Sequence, residues 1–176
     1  MKFISEKLGL EKLLLLKNDC ARQIASDYEH NAKSCGTCET PGACCLDAHF
    51  VNVRISRLES IAIRVALTGL SPTLRERVDQ RVENSIEKYA LAEAIEGIDR
   101  TYACPLFEKG IGCLVHSTAK PLPCIQHACY ENEKDLPPDA LLAELEGRVD
   151  RLNRRVFGKP SGLLSLPVAI SKKRRN

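Results

Sequence analysis

Residues 104–129 read CPLFEKGIGCLVHSTAKPLPCIQHAC and carry four of the nine cysteines in this chain. A second block, residues 35–45 with the sequence CGTCETPGACC, carries four more. Four thiolates are the ligand set of a tetrahedral zinc site or of an iron–sulfur cluster. The spacing therefore predicts one metal-binding region built from two loops. The predicted ligands are Cys35, Cys38, Cys44, Cys45, Cys104, Cys113, Cys124 and Cys129.

Cys44 and Cys45 are adjacent, and this restricts how they can bind. Successive side chains diverge from an ordinary backbone, so one tetrahedral ion seldom takes both. We hypothesise that the two cysteines serve two neighbouring sites, or that one binds metal and the other supports it. The number of sites stays open at this level.

Other soft or titratable side chains near the blocks have simpler interpretations. His116 and His127 have ligand-compatible spacing, but eight cysteines are already available, so we expect them to support the site or to be exposed. His30 and His49 flank the first block at a distance and are interpreted as surface residues. Cys20 falls on an apolar helical stripe and is predicted to be a core residue.

The remaining pattern predicts a mainly α fold: a small helical domain with an irregular cysteine-rich layer and a short β-hairpin. At 176 residues the chain fits one domain, with the metal-binding core in residues 31–130. Residues 1–30 and 137–157 are predicted supporting helices, and residues 158–176 a loosely ordered basic tail. Ser56 and Ser71-Pro72 are predicted to begin two further helices, the second reaching Ala94, and residues 111–115 one arm of the hairpin.

Composition narrows the class of protein. No apolar run approaches the roughly 18–20 residues of a membrane span, and the N-terminus lacks the pattern of a secretory signal. We therefore expect a cytoplasmic protein, a compartment in which grouped thiols bind metal more often than they form disulfides. The net charge of +3 is too small to indicate a nucleic-acid partner. A protein partner stays open.

The two cysteine blocks together resemble the YkgJ-like cysteine-cluster proteins, a family described as zinc- or iron-chelating. The resemblance covers roughly residues 35–130. It rests on Cys-x2-Cys followed by a double cysteine, and on Cys104-Pro, Gly112-Cys113, Lys120-Pro121 and a closing Cys124-x4-Cys129. It implies chelation of zinc or of an iron–sulfur cluster. Members are often labelled iron–sulfur oxidoreductases, and a flagellin lysine methylase carries a related domain.

Ligand type alone does not separate zinc from an iron–sulfur cluster, since thiolates suit both. We favour zinc by a small margin. The first interpretation is a metal-binding protein of unassigned reaction. The alternatives are an iron–sulfur enzyme, acting as an oxidoreductase or as a protein N-methylase, and a zinc-stabilised module that binds protein or nucleic acid. Whether the protein is an enzyme is not decided by the sequence.

Overall fold

The structure is a computed structural model that describes residues 2–33, 42–46, 52–92 and 101–171. It confirms a mainly α fold with short antiparallel strand pairs. The helices of the described part are α1 (Glu6–Asp27), α2 (Arg57–Thr68), α3 (Pro72–Lys88), α4 (Leu122–Gln126), α5 (Asp139–Phe157) and α6 (Leu166–Ile170). The strands are β1 (Ala32–Lys33), β2 (Arg54–Ile55), β3 (Phe107–Glu108), β4 (Gly112–Cys113), β5 (Cys129–Tyr130) and β6 (Leu164–Ser165).

The long helices begin where capping residues stand in the sequence. The Ser56 hydroxyl accepts from the Glu59 N–H while the Glu59 carboxylate accepts from the Ser56 N–H, which is a complete capping box at the start of α2. Ser71 caps α3, whose first residue is Pro72. α5 ends at Gly158, which adopts a left-handed φ of 78°. Local signals therefore fix these boundaries.

Two apolar clusters hold the helices together. The first lies among α2, α3 and α6 and includes Ile63, Val78 and Ile170. The second lies among α1, α4 and α5 and includes Leu13, Ile125 and Leu145. Burial of apolar surface in these clusters is the main force that positions the short irregular segments between them. No helix in the described ranges is long and apolar enough to cross a membrane.

The strands join segments that are distant in sequence. β1 pairs with β5, with Lys33 opposite Cys129, and β2 pairs with β6. β3 and β4 form the predicted hairpin, with Phe107 opposite Cys113. The chain just before the first cysteine block therefore lies beside the end of the second block.

Three predictions of the sequence are wrong. Residues 164–170, which were predicted to belong to a loosely ordered tail, instead form β6 and α6, and Leu166 is 1% exposed in the first cluster. Helix α3 ends at Lys88 instead of reaching Ala94, since Ala90 turns to a left-handed φ of 48°. Helix α4 lies in a stretch predicted to be irregular. Its prolines stand at the first turn, where a missing N–H costs nothing.

Candidate metal centre

The end of the first block forms a tight turn against the hairpin of the second. Cys44 and Cys45 lie in a short 3-10 turn over Ala43–Cys45, which is preceded by Gly42 at a φ of 84°. A Cβ atom added to Gly42 would overlap the Cε2 and Cζ atoms of Phe107. Glycine is required at position 42 for two reasons: it adopts the left-handed backbone without strain, and it leaves room for the Phe107 ring.

A backbone hydrogen bond joins the two blocks directly. The Cys104 N–H donates to the Cys45 carbonyl at 2.8 Å, although the two residues belong to loops far apart in the chain. The contact brings a predicted ligand of each block to the same place. For Cys45 and Cys104, the fold itself therefore brings the two loops together.

The hairpin presents two more sulfur atoms to backbone donors. The N–H groups of Leu106 and Phe107 hydrogen-bond the Cys104 sulfur and lower the pKa of its thiol, although burial outweighs them. The Val115 N–H acts in the same way on Cys113. Turns of this kind aim peptide dipoles at sulfur, and such donors stabilise a thiolate over a thiol.

Helix α4 places Cys124 near Cys45, Cys104 and Cys113. A side chain of α2 accepts a hydrogen bond from the first N–H of α4. The Leu122 N–H donates to Oε1 of Glu59 at 3.0 Å, and Glu59 is only 2% exposed. Leu122 and Ile125 pack into the second apolar cluster. Cys124 therefore lies where α2 and the second cluster meet the hairpin.

Burial and mutual proximity raise the pKa of four thiols in this group. Loss of solvation is the largest cause in each case, and it raises the pKa of Cys45, Cys104 and Cys124 to about 12. The pKa of Cys113 is raised for the same reason. Neighbouring thiols add to the shift, because a second negative charge in the group is unfavourable. These cysteines are protonated at neutral pH unless a cation compensates their charge.

The structure describes two of the other four predicted ligands, Cys44 and Cys129. Cys44 is exposed, although its charge acts on both Cys45 and Cys113. Cys129 lies in β5 opposite Lys33. Lys33 precedes Cys35 by two residues in the sequence. Cys35 and Cys38 lie outside the described residues, as does His49.

Cys45, Cys104, Cys113 and Cys124 are neighbours, but they do not form a closed site. Across residues 2–33, 42–46, 52–92 and 101–171, no group of three or more His, Cys, Asp or Glu side chains is arranged so that it could hold a metal ion. The donor chemistry suits zinc or an iron–sulfur cluster, since soft thiols gather with N–H groups aimed at sulfur. Binding would need the sulfur atoms to draw closer.

His30, His116, His127 and Cys20 lie where the sequence predicts. His116 and His30 are exposed, and Cys20 is 1% exposed in the second apolar cluster. His127 is exposed as a residue, yet partial desolvation of its ring, together with the charge of Lys120, lowers its pKa. The neutral ring that results is the form able to bind metal.

Three buried polar residues around the group were not singled out from the sequence. Glu59 holds the start of α4, and Lys17 forms an ion pair with it at 3.6 Å. The Tyr102 hydroxyl donates to the Val53 carbonyl at 2.5 Å and accepts from the Leu166 N–H at 3.1 Å. Only Glu59 left a local signal, the Ser-x-x-Glu capping box. Its second role depends on a residue 63 positions away.

Comparison with known proteins identifies no relative. No protein-family model matches this chain, and neither a curated protein nor a solved structure is similar to it. The resemblance to the YkgJ-like family stays a prediction that rests on cysteine spacing.

Proposed function

We propose that this protein binds metal through cysteine thiolates, with zinc as the favoured ion and an iron–sulfur cluster as the alternative. The observation that carries the proposal is the hydrogen bond from the Cys104 N–H to the Cys45 carbonyl, which joins the two cysteine blocks. Spacing alone could arise in two unrelated loops. A direct backbone contact between predicted ligands is expected if both loops serve one centre.

The first proposed ligand set is Cys45, Cys104, Cys113 and Cys124. These four thiols lie close enough to interact electrostatically. Backbone hydrogen bonds lower the pKa of two of them, Cys104 and Cys113. A bound cation would remove the cost of ionising them, and their protons would be released on binding. Four thiolates leave zinc no open position, so a zinc ion held in this way would stabilise the fold.

The second set would consist of Cys35, Cys38, Cys44 and Cys129. Cys129 pairs with Lys33, and Lys33 precedes Cys35 by two residues in the sequence. Cys44 is exposed while Cys45 belongs to the first set, in keeping with our hypothesis that the adjacent cysteines serve two neighbouring sites. The protein would then bind metal at two places.

Anaerobic purification followed by zinc, iron and acid-labile sulfide analysis tests the proposal. We expect zinc in a colourless protein; iron with sulfide and visible absorption that bleaches on reduction would establish the alternative. Cys104→Ser should lower the metal content. Cys20→Ala is the matched control, because Cys20 is buried in the second apolar cluster and should not affect metal. A protein with neither zinc nor iron, or equal loss in both variants, would contradict metal binding.

A further inference from the structure

Lys17 is a charged residue on the buried face of α1. It belongs to the same stripe as Leu13, Cys20 and Ile24, and it is only 5% exposed. Its Nζ atom has almost no accessible surface and no hydrogen-bond partner in the described part of the chain. Burying an ammonium group without an acceptor is costly. Because solvent does not reach this atom, the compensating negative charge has to come from inside the protein.

Glu59 supplies only part of that charge. Its Oε1 atom lies 3.6 Å from Nζ of Lys17, which is an ion-pair distance but too long for a hydrogen bond. The carboxylate already accepts from the N–H and the hydroxyl of Ser56 and from the Leu122 N–H. The ammonium group has three donors, and none of them meets an acceptor at hydrogen-bond distance within the described ranges.

The ammonium group of Lys17 lies at the first turn of α4, the helix that carries Cys124. The Glu59 oxygen that faces Nζ is the same atom that accepts the Leu122 N–H at 3.0 Å. Cys124 follows Leu122 by two residues in this five-residue helix. α1 and α4 also pack together in the second apolar cluster. A buried positive charge is therefore held beside one of the proposed metal ligands.

The charges of Lys17 and Cys124 act on each other. Burial is the largest cause of both pKa shifts, lowering the pKa of Lys17 and raising that of Cys124. Against burial, Cys124 raises the pKa of Lys17, and Lys17 lowers the pKa of Cys124. Lys120 also lowers the pKa of Cys124, but Lys120 is half-buried, so water can solvate its charge. Lys17 has no such contact with water.

We propose that Lys17 is a charge-compensating residue of the metal centre, whose ammonium group offsets the negative charge of the thiolates at Cys124 and strengthens metal binding. This role rests on the proposed function, in which Cys45, Cys104, Cys113 and Cys124 hold the metal. Four thiolates carry two more charges than Zn²⁺ neutralises, and an iron–sulfur cluster held by four thiolates is also anionic. The cost of burying such an anion falls when a cation lies nearby.

Competition titration of the purified protein with a chromophoric zinc chelator tests this role. Lys17→Met removes the charge but keeps an unbranched side chain, and it should weaken zinc binding about tenfold or more. Lys12→Met is the matched control, because Lys12 is exposed on the same helix. This control should bind zinc like the unaltered protein.

Glu59→Gln separates charge compensation from a structural role. It removes a negative charge beside Nζ of Lys17 but keeps an acceptor oxygen for the Leu122 N–H, so zinc binding should be unchanged or tighter. Glu59→Gln and Lys17→Met each leave one buried charge without its ion-pair partner, and both should lower the free energy of unfolding. A purely structural role for the pair would therefore weaken zinc binding in both variants.

The double variant that combines Lys17→Met with Glu59→Gln keeps the test decisive if Lys17→Met fails to fold, because it leaves neither charge of the pair buried alone. It should bind zinc about tenfold more weakly than Glu59→Gln. If the protein holds an iron–sulfur cluster, the measurement is the reduction potential of the cluster. That potential should be more negative without Lys17, since a nearby cation stabilises the added electron.

The proposed role of Lys17 is overturned if the variants that lack it bind zinc as tightly as their parent proteins, or hold the cluster at the same potential. It is also overturned if Glu59→Gln weakens zinc binding as much as Lys17→Met does. In these cases the unaltered protein still binds metal, so the proposed function stands. If the unaltered protein binds neither zinc nor iron, the proposed function fails and the role of Lys17 fails with it.

Discussion

Oε1 of Glu59 lies 3.0 Å from the backbone nitrogen of Leu122, so a carboxylate of α2 holds the first turn of the helix that carries Cys124. The same carboxylate completes the capping box of α2 and faces Lys17 of α1. One buried side chain thus connects three helices next to the cysteine group.

Removing this carboxylate should destabilise the fold strongly. Glu59→Ala leaves the N–H groups of Ser56 and Leu122 without their acceptor and leaves Lys17 as an unpaired buried charge. We expect a loss of about 3–5 kcal/mol in the free energy of unfolding, measured by urea denaturation. Glu59→Gln keeps an acceptor oxygen and should lose less. A loss below about 1 kcal/mol in Glu59→Ala would contradict this role.

Gly42→Ala should separate the first cysteine block from the hairpin. The new Cβ would overlap the Phe107 ring, in addition to the strain of a left-handed backbone. Gly110 is the matched control, because its φ is 82° and a Cβ added there would meet nothing within 4 Å. Gly110→Ala should cost only the backbone strain of about 1–2 kcal/mol.

Gly42→Ala should cost more than this control in urea denaturation, and it should bind less zinc if the proposed centre exists. Adding Phe107→Ala removes the ring that the new Cβ would meet, so the double variant should recover part of the difference. Equal losses in Gly42→Ala and Gly110→Ala would show that the close contact is unimportant.

Tyr102→Phe should destabilise the protein by about 0.5–1.5 kcal/mol, because the Val53 carbonyl and the Leu166 N–H each lose a hydrogen bond to the hydroxyl, although they keep the one that joins them. Tyr130→Phe is the control, because it also removes a tyrosine hydroxyl. The Tyr130 hydroxyl is buried without a hydrogen-bond partner in the described part of the structure, so its removal should cost nothing or be stabilising. Thermal unfolding of both variants measures the difference, and similar changes in the two would exclude an anchoring role for Tyr102.

Glu108 should make stability depend on pH in the acid range. Its carboxylate accepts a hydrogen bond from Arg81 at 2.8 Å and lies 3.2 Å from Arg77, and these contacts lower its pKa below the usual 4.5. The unfolded chain therefore takes up a proton first as the pH falls. The stabilisation is present above pH 4.5 and is lost as the pH falls through the lowered value.

Glu108→Gln removes this dependence, so the stability of the variant and of the unaltered protein should converge at low pH. Urea denaturation at a series of pH values measures the difference between them. Glu76→Gln, at an exposed position of α3, is the control and should follow the unaltered protein. A difference that stays constant with pH would contradict the assignment to Glu108.

Local signals predicted the helices correctly where capping residues and apolar periodicity agreed. Ser56 and Ser71 cap α2 and α3, and the apolar stripe of α1 that contains Cys20 is buried in the protein core. The errors lie in short segments. α6 has five residues, too few for a periodic pattern, and it is ordered by the burial of Leu166 and Ile170 in a cluster whose other members lie far away in sequence.

The sequence by itself determined that eight cysteines fall into two blocks, because their spacing is a property of consecutive residues. Tertiary structure decided which blocks meet. The hydrogen bond between Cys45 and Cys104, the packing of Phe107 against Gly42 and the hold of Glu59 on α4 all join residues far apart in the chain. Such contacts depend on the packing of two apolar clusters, and no local pattern encodes that packing. Tertiary packing also buries the ammonium group of Lys17, since three separate segments supply the neighbours of this residue.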